Sequence, residues 1–273
     1  RRGMEINSTN WLDLLESILC VEEMTKNLLE SDLIIESDGE YGLGGPVPGL
    51  AIPTSLQDSF AARLDRLGPV RELAQIGAVL GRSFAYDLVL AVSMIDDPKL
   101  QEGLSRLRDA EILFQRGTTP NATYTFKHAL LQDAAYNSLL KSHRQIFHAR
   151  TAMVLEQQFP ELQESEPELL AHHFTEADEA EQAIRYWQRA GEKAIQRSAN
   201  KEAVGHLKRA LDVLLTLPVT AERDGQELTL QVALGAPIIA THGFAAAEAG
   251  KVYLRARKLC ELRETGAEAF PAL

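Results

Sequence analysis

From Ala129 onward the chain reads as almost continuous helix, with small residues recurring at fixed intervals. That pattern limits the fold more than any other feature, because a long series of amphipathic helices can bury its apolar stripes only by packing helix on helix. The change of character falls within Phe126–Tyr136. Phe126 is expected to end a strand, after which Leu130, Leu131, Ala134, Ala135 and Leu139 recur at the three-to-four-residue spacing of an amphipathic helix. His128 sits at that junction. The expected class is therefore mainly α: a small α+β part, then an α-helical solenoid.

Downstream of the junction, helices are expected near 129–140, 142–158, 166–176, 179–197, 200–216, 224–240 and 246–263. Links are expected at Pro160, Pro167, Pro218 and Gly243. Trp187, Ala190, Gly191, then Ala203, Leu207, Ala210, then Pro218 follow most of the 34-residue tetratricopeptide template, with Ala194 in place of its tyrosine. Small residues suit positions where antiparallel helices cross closely. Weaker copies begin at Leu170 and at Leu234-Gly235-Ile238, the second followed two residues late by Ala249, Tyr253 and Ala256. Paired helices are still running at Cys260, so the array is expected to be cut short, leaving Val252, Leu259 and Leu262 partly uncovered.

Upstream, residues 1–32 read as helix. Leu33–Ile35 and Tyr41–Leu43 flank Ser37-Asp38-Gly39, a short hairpin signal because Asp and Gly tolerate positive φ. The Gly44–Gly49 stretch reads as a linker. Ser55 and Asp58 open a helix with Leu56, Phe60, Leu64 and Leu67 on its buried side. A second helix carries Leu73, Ala74, Ile76 and Leu80, a third runs from Asp87 to Ser93, and a fourth carries Leu100, Leu104 and Leu107. Ile112–Gln115 and Tyr124–Phe126 then form a hairpin across a loop of turn formers, completing a winged-helix order. The expected divisions are 1–50, 51–140 and 141–273.

Charge argues against nucleic acid as the main partner. The chain holds 28 Lys+Arg against 39 Asp+Glu, a net charge of -11, the wrong sign for neutralising phosphate. Cys20 and Cys260 stand alone, which suggests neither a disulfide framework nor a zinc site and fits a reducing cytoplasm. No apolar run approaches the roughly 20 residues that span a bilayer, so no membrane partner is expected.

Catalytic apparatus is not apparent. Gly250-Lys251 is followed by Val252, and no phosphate loop, H-E-x-x-H or G-x-S-x-G motif occurs. His172-His173 is a weak metal signal, because neighbouring helical residues point about 100° apart, and core or solvated histidines fit better. Glu161, Glu164, Glu166 and Glu168 read as a solvated charge run near helix starts. Trp187 and Tyr253 line either a ligand groove or the interhelical core, with the core preferred. No catalytic residue, metal ligand or cofactor is assigned to this chain.

Several motifs together resemble one family. They are Ile52-Pro53-Thr54-Ser55-Leu56-Gln57-Asp58 with Ala62-Arg63-Leu64-Asp65-Arg66-Leu67, Gly81-Arg82-Ser83-Phe84, Phe126–Tyr136, Leu170-Ala171-His172-His173-Phe174 and Tyr186-Trp187-Gln188-Arg189-Ala190-Gly191. Taken together they look like the C-terminal half of large bacterial signalling proteins. Those proteins carry an optional class III adenylate/guanylate cyclase domain, an AAA-like ATPase of the STAND type, a winged-helix segment and tetratricopeptide repeats. Val21–Thr25 resembles the end of the ATPase module, but Glu16-Ser17-Ile18 departs from the Gly-x-Pro element expected before it, and the chain looks truncated.

The resemblance implies that ATP or ADP with Mg binds an upstream ATPase domain outside this chain. This half would be regulatory, with a protein or peptide partner on the repeats. In related ATPases a histidine at the end of the winged helix approaches the β-phosphate of ADP and holds the inactive state, and His128 occupies the similar place. Its alternatives are a cap on the following helix or packing at the domain junction. Two other functions stay open: part of a STAND-type transcription regulator whose helix-turn-helix lies outside the chain, and an enzyme with an unrecognised site.

Overall fold

The computed structural model describes the backbone of residues 34–37, 40–43, 56–244 and 246–264, and the side chains of residues 60–244 and 246–262. The helix expected over 1–32, the 44–49 linker, Cys20 and the Ser55, Leu56 and Asp58 side chains lie outside that set. By backbone contacts the chain divides into two compact units, Arg1–Leu140 and Lys141–Leu273.

In the first unit, β1 (Ile34–Ser37) pairs antiparallel with β2 (Glu40–Leu43), with Ser37 opposite Glu40 and Asp38-Gly39 between them. Helices α1 (Leu56–Arg66), α2 (Arg71–Leu80), α3 (Tyr86–Ser93), α4 (Asp97–Asp109) and α5 (Ala129–Asn137) accompany a second sheet of β3 (Ser83–Ala85), β4 (Leu113–Arg116) and β5 (Thr123–Phe126). Its order is β3-β5-β4, antiparallel throughout. The third strand, β3, was not expected. Three residues are too few to show alternation, and it exists because β5 supplies a partner, with Phe84 opposite Tyr124. The Phe84 ring lies 6.1 Å from Tyr124 and 6.2 Å from Phe126 between centroids. All three are buried, each contributing ~1.5–3 kcal/mol by leaving water. Gly77 of α2 admits Phe84, since a Cβ there would stand 2.8 Å from its ring.

The second unit is wholly helical over its described residues: α6 (Lys141–Gln158), α7 (Pro160–Ser165), α8 (Pro167–Glu176), α9 (Ala180–Gln196), α10 (Asn200–Leu214), α11 (Ala221–His242) and α12 (Ala247–Glu264). From α8 to α12 each helix packs on the next, while α6 packs on α8 past the short α7. Pro160 and Pro167 were expected to be links. Each instead stands in the first turn of a helix, where a missing N–H breaks no helical hydrogen bond. The α8–α9 and α9–α10 turns share one geometry. Asp178 and Ser198 take positive φ, and Glu179 N donates to Phe174 O as Ala199 N does to Ala194 O, both at 2.9 Å.

The last hairpin corrects one expectation. Ala249, Val252, Ala256 and Leu259 recur on one face of α12, which packs on α11, so Val252 and Leu259 are buried. Leu262 and Leu254 are exposed. No helix among the described residues is long and apolar enough to cross a membrane.

Candidate functional site

Close helix crossings come first, because they fix what the second unit can present. A Cβ at Gly191 on α9 would meet Leu207 Cγ of α10 at 2.6 Å, and one at Gly235 on α11 would meet the Tyr253 hydroxyl of α12 at 2.3 Å. Each glycine thus receives a large side chain from the following helix. Ala190, Ala203, Leu207, Ala210 and Ala256 are buried. Trp187 is buried as well: its indole N–H donates to Thr175 Oγ1 at 2.9 Å, its ring stacks 5.5 Å from His206, and Arg209 lies 4.9 Å from its centroid. Tyr253 is 46% exposed, so its ring covers Gly235 while its flank faces solvent.

A separate cleft of about 490 Å³ lies between α6 and α9, with α7 at one end. It is lined by Glu156, Gln163, Arg185, Tyr186, Arg189 and Glu192, among others. The Tyr186 hydroxyl donates to Glu156 Oε1 at 2.7 Å, and an Arg185 N–H donates to the same oxygen at 2.8 Å. The Arg185 guanidinium also sits 4.9 Å from the Tyr186 ring centre, and that ring stacks 5.4 Å from Phe174. Burial, then the hydrogen bond to Glu156, pushes the Tyr186 phenol up to about 12. It remains a donor at neutral pH.

Farther along α9, Arg189 donates to the Glu164 carboxylate, and Lys193 Nζ donates to the Glu164 and Ser165 carbonyls, the latter at 2.7 Å. Hydrogen bonding by Arg189, then its charge, holds the Glu164 carboxyl below its usual range. Gln163 donates to the Glu156 carbonyl, and the Gln188 amide donates to Glu192 Oε1 at 2.7 Å. Chemically, the cleft offers guanidinium, ammonium and phenol donors that recognise carboxylates and carbonyls. The sequence reading missed this set. The signal was the spacing of Arg185, Arg189 and Lys193, which puts three cations on one face of a helix.

A second groove, of about 270 Å³, lies among α8, α9 and α10, lined by His172, Thr175, Glu176, Trp187, Arg209 and Asp212. Beneath it His148 of α6 and His173 of α8 share one hydrogen bond, Nδ1 to Nδ1 at 2.8 Å, both buried. Burial, then His172 and Arg144, lowers His148 to about 4; burial, then His148, drives His173 well below its ordinary value. Both rings are therefore neutral at pH 7. Among the described residues no three His, Cys, Asp or Glu side chains are set to hold a metal ion.

His128 lies in the other unit, between β5 and α5. Its carbonyl accepts the Leu131 N–H at 3.1 Å, but its imidazole makes no capping bond to α5. The half-buried ring stacks on Phe60 at 6.4 Å between centroids. Lys127, next to it, pairs with Glu111 at 3.2 Å and lies over the Phe114 ring.

No family model matches the chain. Over 212 residues, 77% of the chain, it is 27% identical to a curated protein of Rhizobium meliloti (strain 1021) described as "Uncharacterized protein R02095". The matched stretch is 20% of that relative, so the chain spans about a fifth of the length of the curated protein it matches.

Proposed function

We propose that the chain is the non-catalytic regulatory and protein-interaction half of a signalling ATPase of the STAND type. A partner held on its helical hairpins is coupled to a nucleotide switch, and in parents that carry a cyclase domain to cyclic-nucleotide output. The ATP or ADP with Mg then belongs to an upstream ATPase domain, and His128 reports on it from the end of the winged-helix-like unit. The observation that carries this reading is the repeated crossing at Gly191 and Gly235, which receive Leu207 and Tyr253. Gly191 and Leu207 fall at positions the tetratricopeptide template assigns to close helix contact, and Gly235 repeats the contact with Tyr253 two residues late. Arrays of this kind act chiefly by holding other proteins.

Non-catalytic behaviour is directly testable. Purified chain incubated with Mg·ATP is expected to release no phosphate and no cyclic nucleotide. Magnesium-dependent turnover that co-purifies with the chain and persists through a second chromatographic step would overturn the reading in favour of an enzyme.

A further inference from the structure

We propose that the cationic face of α9, Arg185, Arg189 and Lys193, docks an acidic peptide of a partner protein, and that α7 is the chain's own occupant of that place. The proposal rests on the interaction reading above and names the partner's chemistry.

Helix α7 is six residues long, and none of its residues is buried. What fastens it to α9 is polar: the Glu164 carboxylate on Arg189, and the Glu164 and Ser165 carbonyls on Lys193. Gln163 adds a bond to the α6 backbone. Its one large apolar side chain, Leu162, is half-buried, so the segment gains little from packing, and exposed ion pairs contribute little each. It is therefore held mainly by polar contacts that a competing acidic segment can replace.

The segment's sequence is that of an acidic ligand. From Pro160 to Glu168 it carries Glu161, Glu164, Glu166 and Glu168 and no Lys or Arg, and prolines begin both of the helices it spans. Its contacts show the grammar a partner would use, a carboxylate on Arg189 and main-chain carbonyls on Lys193. Arginine suits that task because its planar fork matches a carboxylate. Local charge agrees. Arg185 is answered by Glu156 on α6, whereas Arg189 and Lys193 are answered from α7, leaving Glu192 as the carboxylate beside them. With α7 displaced, the α9 face would be net cationic on a chain of net charge -11. A tethered segment acts at an effective concentration on the order of mM, so it masks the face from weak acidic peptides and yields to strong ones.

The test uses a fluorescein-labelled synthetic peptide of residues 160–168 added in trans to the full chain and followed by anisotropy, beside a control peptide with every Glu replaced by Gln. Wild-type chain is expected to bind the acidic peptide weakly, and Glu164→Gln, which loosens α7, about tenfold more tightly. Adding Arg189→Gln and Lys193→Gln to Glu164→Gln should abolish that binding, and raising salt should weaken it. Circular dichroism melts establish that all forms fold. If both peptides bind equally, the acidic-peptide assignment falls while the interaction reading survives. If neither binds any folded form, the acidic-peptide assignment falls as well, and the interaction reading is then decided by the turnover test alone.

Discussion

Gly191 and Gly205 stand in the same hairpin and ask opposite things of a methyl group. At Gly191 a Cβ would press on Leu207 Cγ, whereas at Gly205, on the exposed side of α10, it would meet nothing within 4 Å. Alanine gains ~1 kcal/mol of helix propensity at either site, against an overpacking cost of ~1–3 kcal/mol at Gly191. Urea unfolding should show Gly205→Ala stabilised by about 0.5–1 kcal/mol and Gly191→Ala destabilised by about 1 kcal/mol. Equal effects would refute the close crossing. The histidine pair makes a second residue-scale prediction. An unfolded histidine takes up its proton near 6.5, and folded His148 does so near 4. The stability from keeping it neutral is thus fully present above about pH 6.5 and lost as pH falls toward 4. His173, also lowered, adds in the same direction. A His148→Gln variant should flatten the stability profile between pH 6.5 and 4.5, and an unchanged slope would contradict the assignment.

Among elements, the α11–α12 hairpin is tied by a charged joint. Glu227 of α11 is 2% exposed and takes both oxygens to Arg255 of α12, at 2.6 and 2.7 Å, with Arg223 at 3.8 Å. The hydrogen bond from Arg255 holds its carboxyl below the usual range despite burial. Its contribution is therefore present above pH 4.5 and fades as pH falls below it, a window mostly under that of the histidines. Glu227→Gln should cost about 1–3 kcal/mol at pH 7 and less at pH 3, measured by urea unfolding at both values. At the start of α11, Thr220 Oγ1 accepts from Arg223 N at 3.1 Å, and Thr220→Ala should cost about 1 kcal/mol in the same assay.

Element existence was legible where apolar periodicity is long, as in α9, α10 and α12. It was lost where a tertiary partner decides. Strand β3 is three residues that pair only because β5 lies beside them, and α7 hides behind two prolines that read as breakers but start helices. The turns at Asp178 and Ser198 were equally hidden, because positive φ usually announces itself as glycine. The α6–α9 cleft was missed for another reason. Glu164 read as part of a solvated run with Glu161, Glu166 and Glu168, and only the fold brings it, together with Glu156, onto the cations of α9.

At the scale of the molecule, the proposal of protein contact rather than phosphate chemistry rests on a net charge of -11 and on the helical hairpins. Residues 51–140 are expected not to bind duplex DNA in a salt-dependent way, and an affinity that falls by several decades between 50 and 200 mM salt would reveal a phosphate-contacting face. The proposed role is to report on nucleotide bound in a larger ATPase, and His128 is where the chain would touch that switch. One hydrogen bond from its imidazole to the β-phosphate of ADP is worth ~1.5–3 kcal/mol, or about 10- to 100-fold in the balance of closed and open states. Lys127, already paired with Glu111, is the neighbouring control. The deciding measurement is ADP dissociation from the complete parent protein, followed with a fluorescent ADP in wild type, His128→Ala and Lys127→Ala. The account predicts release about 10- to 100-fold faster in His128→Ala and little changed in Lys127→Ala. Release from His128→Ala at the wild-type rate, with only a lowered melting temperature from losing the Phe60 stack, would contradict it.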